Sequence, residues 1–576
     1  MAVPELLLAT LNDLGKAELK TFIWYLHQGV EGFPQCIPMS QLEYAGREDT
    51  ISKMVGTYQP EEAVKITLVI LRKMNQNQLA DTLNNKYGPV GALGDGFNMG
   101  ASSSGRSTGH FQPDLEDGFS IASSSESTSL EGHALPPASN TSPGTGRQSA
   151  ELDTKSNKDV MLTYDINQIL GHGADGTIVY KGTLGDRSVA VKRILVNFLK
   201  LAEREVQLLL EVDSHVNVVR YFWTEKDGQH QNIAIELCAA SLKEYVKDNN
   251  FNRHGLQPVE VLKQTMRGLA HLHSLKIVHR DVKPNNILFS IPDHHGQVIV
   301  KITDFGMAKK LEMGRQSYSM SSGAMGTVGW NAPEVLKKDS KNNPTSAVDI
   351  FSAGCVFYYV LTGGEHPFGD MEDEFDVAIN IRQGQFSLVG LQGDKHEDIV
   401  AEHLIKYMVT KEQQRRPSAE TVLNHPFFWS LEQQLKFLKD VSDWIDAQSK
   451  LKRLDDSIIN QLESEAEKVV KGNWMEHITK DLQENLKKRK GAYKEVSVVS
   501  LLRAIRNKSN HYDEIPDLHE TLGSIPEGFM LYFTSRFPHL LLHTYLAMRT
   551  CAEELTFQKY YSKLREAWMV YDTPTA

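Results

Sequence analysis

Gly171-His-Gly173-Ala-Asp-Gly176-Thr-Ile-Val179, preceded by Leu170, is a glycine-rich string whose backbone amides can close around phosphate. Alone it is weak, because glycine also serves ordinary turns. Val189-Ala-Val-Lys192 follows, and its β-type residues set Lys192 on a strand from which it can reach the α- and β-phosphates of a nucleotide. Glu205, within Arg204-Glu-Val-Gln-Leu-Leu-Leu210, is placed on a following helix to hold Lys192 by an ion pair. His279-Arg-Asp281-Val-Lys283-Pro-Asn-Asn286 then offers Asp281 to receive a hydroxyl proton, Lys283 for the moving phosphate and Asn286 as a magnesium ligand. Asp304 of Asp304-Phe-Gly306 is the second magnesium ligand, and Ala332-Pro-Glu334 closes the segment between. The chemistry is phosphoryl transfer, with ATP (or ADP) and Mg2+ as cofactors. In this order and at these separations, chance is negligible.

A second constellation lies far downstream, in Leu501-Leu-Arg-Ala-Ile-Arg-Asn-Lys-Ser-Asn-His-Tyr512. If this segment is helical, Arg503, Asn507 and His511 stack at i, i+4 and i+8 on one face, with Arg506 flanking. Tyr493 stands 13 residues before Arg506. These groups are an inventory for cleaving RNA without metal. The 2′-OH must lose a proton, the 5′-oxygen must gain one, and the pentacoordinate phosphorus needs positive charge beside it. His511 suits the acid because its reference pKa lies near neutrality. Arg506 can fork onto phosphate oxygens, Asn507 can orient a hydroxyl, and Tyr493 can serve as base beside cations. No HxH pair or clustered Asp/Glu in this stretch supports a two-metal nuclease, so no cofactor is expected there.

The elements that must carry these groups divide the 576-residue chain, which is too long for one core. A hydrophobic fraction of 40% and a charged fraction of 23% are ordinary for a soluble globular protein. The four cysteines form no CxxC pair, which excludes a zinc knuckle and leaves reduced, cytoplasmic thiols. The start Met-Ala-Val-Pro-Glu lacks a basic signal region, and the longest uncharged apolar stretch, 350–364, is 15 residues where a span needs about 20. No membrane span is expected. The net charge of −11 argues against indiscriminate nucleic-acid binding, yet residues 487–508 hold eight Lys/Arg against Glu495 alone. Residues 89–163 are rich in Ser, Gly, Thr and Pro and read as a disordered linker, its ends roughly 45–50 Å apart as a flexible coil. Before it, Leu7, Leu11 and Leu14, then Leu19, Phe22, Ile23 and Leu26, keep helical spacing, as do Ala63, Ile66, Ile70 and Met74 after Pro60. After residue 428 the chain reads as helical again, with Trp444 and Trp474 as core anchors.

Residues 1–88 resemble a pyrin domain of the death-fold superfamily through Glu18-Leu-Lys-Thr-Phe22, Ile37-Pro38, Leu42-Glu-Tyr-Ala45 and Ala80-Asp-Thr-Leu83. The resemblance implies a six-helix bundle that binds pyrin-domain proteins homotypically. The motifs from Gly171 to Glu334 are those of the protein kinases. That likeness implies an α+β bilobal fold over 164–428, with Glu236 and Cys238 at the adenine hinge, Asp349 anchoring the catalytic loop and Arg416 paired with Glu334. Ser317, Ser319 and Ser322 lie where phosphorylation orders kinases. Gly171–Ala174, Ile233–Ala240, Asp349–Tyr359, His425–Ser430 and Tyr532–His539 closely resemble the inositol-requiring kinase/endoribonucleases of the unfolded-protein response. By that resemblance Tyr493, Arg506, Asn507 and His511 fall on nuclease residues, within an all-α kinase-extension nuclease domain at 431–559. The family carries a lumenal sensor and a transmembrane helix where this chain has the pyrin-like bundle. Ser509-Asn510 falls where close relatives tend to be more basic, which bears on RNA affinity.

The expectation is thus a multidomain, soluble kinase and endoribonuclease. RNA is its substrate, pyrin contacts and autophosphorylation drive its assembly, and homodimers or larger oligomers form through the kinase and nuclease domains. The alternative is a signalling kinase scaffold with a vestigial nuclease domain.

Overall fold

The computed structural model describes residues 3–28, 37, 42, 46–74, 76–87, 161–173, 177–195, 199–212, 215–248, 251–312, 315, 317, 326–336, 343–488 and 493–561. Two compact units, Met1–Asp159 and Val160–Ala576, divide the chain.

In the first unit five helices are described: α1 (Val3–Asn12), α2 (Lys16–Gln28), α3 (Arg47–Tyr58), α4 (Pro60–Lys73) and α5 (Asn77–Tyr87). Their helical apolar spacing becomes a core in which Leu7, Leu11, Phe22, Leu26, Met54, Ile70 and Leu83 have no exposed surface. Pro60 occupies the first turn of α4, where its missing N–H costs nothing. Arg47 ties the bundle by donating from Nε to Leu11 O (2.8 Å), near the end of α1, and from Nη2 to Leu14 O (2.7 Å), just beyond it.

The second unit begins with a five-stranded antiparallel sheet in the order β1-β2-β3-β5-β4. Its strands are β1 (Leu162–His172), β2 (Ile178–Leu184), β3 (Arg187–Leu195), β4 (Tyr221–Asp227) and β5 (His230–Glu236), with helix α6 (Leu199–Val212) inserted after β3. Strand β1 starts at Leu162, two residues inside the stretch expected to be linker, because Leu162 pairs with Leu184 and joins a small apolar cluster with Val189, Val191 and Ala234. The rest of that stretch, 89–160, lies outside the described residues.

A helical lobe follows: β6 (Cys238–Ser241), α7 (Leu242–Lys247), α8 (Pro258–Ser274), β7 (Ile277–Val278), β8 (Ile287–Ser290), β9 (Val300–Ile302), β10 (Lys309–Lys310), α9 (Ala347–Leu361), α10 (Glu374–Gln383), α11 (His396–Met408) and α12 (Ala419–Asn424). The apolar stretch at 350–364 is the centre of this lobe, since every residue of α9 from Val348 to Val360 is buried. The structure has the bilobal α+β architecture that the likeness to protein kinases implies.

The chain then passes, through the buried Phe428 and Trp429, into an all-α region. It comprises α13 (Leu431–Lys450), α14 (Asp456–Glu463), α15 (Ala466–Val469), α16 (Lys480–Lys487), α17 (Val498–Asn510), α18 (His519–Leu522), α19 (Glu527–Arg536) and α20 (Leu540–Ala547). Trp474 has no exposed surface, as an anchor should, whereas Trp444 packs on the core only partly buried. The N-terminus of α17 is closed by Glu463, whose carboxylate accepts from Ser497 Oγ (2.5 Å), Val498 N (2.9 Å) and Val499 N (3.3 Å).

The two regions of this unit share a packed seam. Ile399 and Val400 of α11 and Leu542 of α20 form a buried cluster with Phe427 and Leu546. His396 Nδ1 lies 3.1 Å from Pro538 O, and Lys263 donates to Phe428 O at 3.3 Å. His403 Nδ1 lies 3.0 Å from Nε2 of the buried His425, at the edge of Tyr545.

Inside the helical lobe, Arg416 forks onto Glu334 with bonds of 2.7 and 2.8 Å, both side chains buried. Replacing one partner strands the other charge, which costs about 3–5 kcal/mol. Arg416→Met is therefore expected to lower the urea midpoint of the second unit sharply. A loss below about 1 kcal/mol would show that the pair is dispensable.

Candidate functional site

Strand β3 fixes Lys192 in the sheet, its residue paired with Val179 on β2 and Ile233 on β5. Its ammonium meets Glu205 Oε1 of α6 at 2.6 Å and Asp304 Oδ1 at 2.7 Å. Burial alone would lower the Lys192 pKa, but the two carboxylates outweigh it and hold the ammonium above its ordinary range. Burial likewise opposes ionisation of Asp304, yet Lys192 holds that carboxyl at about 2. Asp304 takes a left-handed backbone, φ 66°, which turns its side chain into the cleft against the usual steric preference.

The catalytic loop is held from beneath by Asp349, which has no exposed surface. Its Oδ2 accepts from His279 N (2.8 Å) and meets His273 Nε2 (2.9 Å), while Oδ1 accepts from Arg280 N (2.8 Å). Burial would raise its pKa, but these bonds and the nearby imidazoles hold it below the ordinary carboxylate value. Asp281 is thereby presented with Lys283 Nζ at 2.7 Å and Asn286 Nδ2 at 2.8 Å from its Oδ2. Sequence reasoning missed Thr327. Its hydroxyl donates to Asp281 Oδ1 at 2.8 Å and accepts from Lys283 at 2.5 Å, so it links the two groups. The available signal was its place in Gly326-Thr-Val-Gly329, just before Ala332-Pro-Glu334.

The donor set suits magnesium. The Asn286 amide nitrogen donates to Asp281 O (2.9 Å) as well as to its carboxylate, and Lys192 takes one oxygen of Asp304. The remaining oxygens of Asn286 and Asp304 are hard ligands of the kind Mg2+ takes alongside substrate phosphates. Leu170 and Gly171 lie near the end of β1, Gly173 N donates to Thr177 O at 2.8 Å, and Gly176 lies outside the described residues. At the expected hinge the Glu236 carboxylate is engaged with Lys301 Nζ (2.8 Å) and Arg220 N (3.2 Å), so its side chain serves the scaffold. Any adenine contact there falls to the backbone from Glu236 to Cys238. Burial pushes the Cys238 thiol up to about 12, which makes it inert.

Ser317 is described, whereas Ser319 and Ser322 lie outside the described residues. Three cations gather near the start of that segment: Arg204 of α6, Arg280 and Lys309 of β10. Burial first, and their mutual repulsion second, lowers the pKa of Arg204 and of Lys309.

In the helical region α17 and the loop before it bring Tyr493, Arg503 and Asn507 together. Asn507 Nδ2 donates to Tyr493 Oη at 3.0 Å, and the Arg503 guanidinium lies 4.8 Å from the Tyr493 ring centre. His511 departs from the expected stack. Helix α17 ends at Asn510, and His511 caps it with φ −114° and ψ 32°, before a 3-10 turn over Tyr512–Glu514. It stays tied to the face through its N–H, which donates to Asn507 O at 3.1 Å. Its Nδ1 meets Glu514 Oε1 at 2.7 Å, so that nitrogen carries the proton and Nε2 is the one offered outward.

Arg506 is where expectation and geometry part. Instead of standing open to phosphate, its fork is engaged by two carboxylates of α13: Nη1 donates to Asp443 Oδ1 (2.8 Å) and Nη2 to Asp446 Oδ2 (2.5 Å). Local sequence hid these acids because they precede Arg506 by about 60 residues.

A two-lobed fold with a buried lysine–glutamate pair, an anchored catalytic loop and an appended helical region defines a protein kinase with a carboxy-terminal extension. The protein kinase domain family matches residues 164–428, the ribonuclease 2-5A family 434–561 and the PAAD/DAPIN/pyrin domain family 6–81. The human serine/threonine-protein kinase/endoribonuclease IRE2 is 51% identical over 407 residues, 70% of this chain and 43% of its own length. The corresponding ire-1 enzyme of Caenorhabditis elegans is 45% identical over 70% of this chain and 41% of its own length. In Schizosaccharomyces pombe the sensor for unfolded proteins in the ER ire1 is 38% identical over 68% of this chain and 38% of its own length. The chain thus spans less than half the length of these relatives. From residue 164 to residue 561 it belongs to the serine/threonine-protein kinase/endoribonuclease family, with a pyrin domain ahead of that region. Among the described residues no helix is long and apolar enough to cross a membrane.

Thr327→Val keeps the shape of the side chain and removes the hydroxyl that links Asp281 to Lys283. Phosphotransfer is expected to fall ~10²-fold in kcat with little change in the KM for ATP, as misplacement by about 1 Å does. An unchanged kcat would remove Thr327 from the site.

Proposed function

We propose that this chain is a bifunctional serine/threonine protein kinase and metal-independent endoribonuclease, switched on by pyrin-driven self-assembly in a reducing, cytoplasmic compartment. The observation that carries it is one packed unit holding two sets of chemistry. Lys192, Glu205, Asp304 and Asp281 stand at one site, and Tyr493, Asn507, Arg503 and His511 at the other. Relatives named kinase/endoribonuclease support the pairing.

At the first site Lys192 grips the α- and β-phosphates while Glu205 orients it. Asp281 receives the proton of a serine or threonine hydroxyl, and Lys283 neutralises the phosphoryl group as it moves. Asn286 and Asp304 would hold magnesium, which when bound would neutralise charge on the phosphates. Autophosphorylation at Ser317, Ser319 or Ser322 would deliver a dianion to Arg204, Arg280 and Lys309. That dianion would relieve their mutual repulsion and tie the phosphorylated residue to them.

At the second site the 2′-hydroxyl gives its proton to the base and its oxygen attacks phosphorus, while the 5′-oxygen leaves with the Nε2 proton of a doubly protonated His511 whose Nδ1–H stays on Glu514. The products are a 2′,3′-cyclic phosphate and a 5′-hydroxyl. Tyr493 takes the role of base in this reading, supported by its hydrogen bond from Asn507 and the Arg503 guanidinium over its ring. The two carboxylates that the fold brings to α17 from α13 are both occupied by Arg506, which favours a metal-free reaction. Assembly of pyrin domains raises the local concentration of the second units, so weak kinase and nuclease contacts suffice for dimers.

His511→Ala is expected to slow RNA cleavage by about 10²–10⁴-fold with ATP binding intact. Near wild-type cleavage by that variant would refute the assignment. Cleavage by dimers assembled without nucleotide should also survive excess chelator; a rate that collapses and returns with magnesium would point to metal-assisted hydrolysis.

Removing residues 1–88 should make cleavage steeply dependent on protein concentration, with recovery when a fused dimeriser is engaged. Coinciding rate–concentration curves for full-length and truncated protein would leave the pyrin domain a localising role only.

A further inference from the structure

Two carboxylates on one guanidinium form a triad with a net charge of −1, a poor receptor for RNA phosphate. Asp443 and Asp446 sit at i and i+3 on α13, so they present to the same side of that helix. Each takes a separate terminal nitrogen of Arg506, whose side chain is only 14% exposed. The third nitrogen, Nε, is buried and makes no hydrogen bond within the described protein. Drawing the fork away to bind phosphate would break two charge-assisted bonds and leave two acids facing the incoming anion.

The same triad lies on the rim of the contact between α13 and α17. Beneath it Leu438, Val441 and Ile445 pack in one core with Leu501, Leu502 and Ile505. Apolar packing of this kind sets the distance between helices but is tolerant of rotation about their axes. The two bonds from Arg506 remove that freedom. Asn507 is the next residue along α17, and its bond to Tyr493 Oη depends on the rotation of that helix, while His511, held to the Asn507 carbonyl, turns with it.

We infer that Asp443 and Asp446 are positioning residues of the nuclease site, and that Arg506 acts as a strut between α13 and α17 rather than as a ligand of RNA phosphate. The inference rests on the nuclease reading proposed above and assigns the electrostatic stabilisation of phosphate to Arg503 and the basic residues around it. Losing either half of the strut lets α17 turn, so Asn507 and His511 drift from their places while the RNA-binding surface keeps its charge.

The test uses full-length protein, a fluorophore–quencher stem-loop RNA that the wild type cleaves, and the uncleavable 2′-deoxy form of the same stem-loop. Asp443→Asn/Asp446→Asn and Arg506→Ala are each expected to lower kcat ~10²-fold while the affinity for the deoxy stem-loop stays within about twofold. The single Asp443→Asn variant keeps the Asp446 arm, so it folds if the double variant does not; its kcat should fall less, in the same direction. Three results would overturn the strut. One is weakened deoxy stem-loop binding by Arg506→Ala with a salt slope about one smaller, the mark of a lost phosphate contact. Another is tighter binding by the Asp→Asn variants, which would make the acids a latch over a phosphate site. The last is unchanged kcat in all of them. If the wild type cleaves no RNA, or if His511→Ala cleaves normally, the nuclease reading fails instead, and the two failures are told apart.

Discussion

A carboxylate without solvent is costly unless its lone pairs are taken, and Asp349 meets that condition with two backbone N–H groups and an imidazole. Much of the phosphoryl site hangs from it. The amides it holds belong to His279 and Arg280, and Arg280 adopts a left-handed φ of 70° that an arginine does not choose unaided. That conformation delivers Asp281 to the cleft. His279 in turn reaches Thr303 O at 2.9 Å, which ties the loop to the residue before Asp304. Local strain at the site is therefore sustained by one buried anion on α9, the most deeply embedded helix of the lobe.

The second site is organised on the same logic with a different anchor. Glu463 closes the N-terminus of α17, Arg506 fixes its middle to α13, and His511 caps its other end. Two of these constraints come from charged groups and the third from a backbone N–H, all acting on a helix whose apolar face is already buried. Burial supplies the energy, and the charged contacts select one arrangement among several that pack about as well.

Much of this could be read from sequence, for identifiable reasons. Lys192 and Glu205 are 13 residues apart on consecutive elements, and the motif from His279 to Asn286 is contiguous, so local order carries the geometry. The apolar run that becomes α9 was visible, though only as a stretch too short to span a membrane, and the amino-terminal bundle was visible as helical spacing. What sequence concealed are partners joined only by the fold: Thr327 to Asp281, His273 to Asp349, Asp443 and Asp446 to Arg506. An aspartate in a polar helix face reads as a solvated charge until its neighbour is known. His511 was misplaced by a single residue, because no glycine marks the end of α17 and Asn510 alone is a weak stop. Glu514 was passed over for the same reason as the aspartates, although it stands only three residues beyond His511.

The seam between the lobe and the helical region has a thermodynamic meaning as well as a geometric one. Ile399, Val400, Leu542 and Phe427 belong to both sides, and no loose segment separates α12 from α13. The helical region cannot open along that seam without exposing apolar surface of the lobe. Ligation and unfolding are therefore linked across it: a nucleotide that binds only the folded lobe adds RT ln(1 + [L]/Kd) to the resistance of any opening that breaks the seam. Nucleotide supply thus sets how long the helical region persists as folded protein, quite apart from whether any phosphate is transferred.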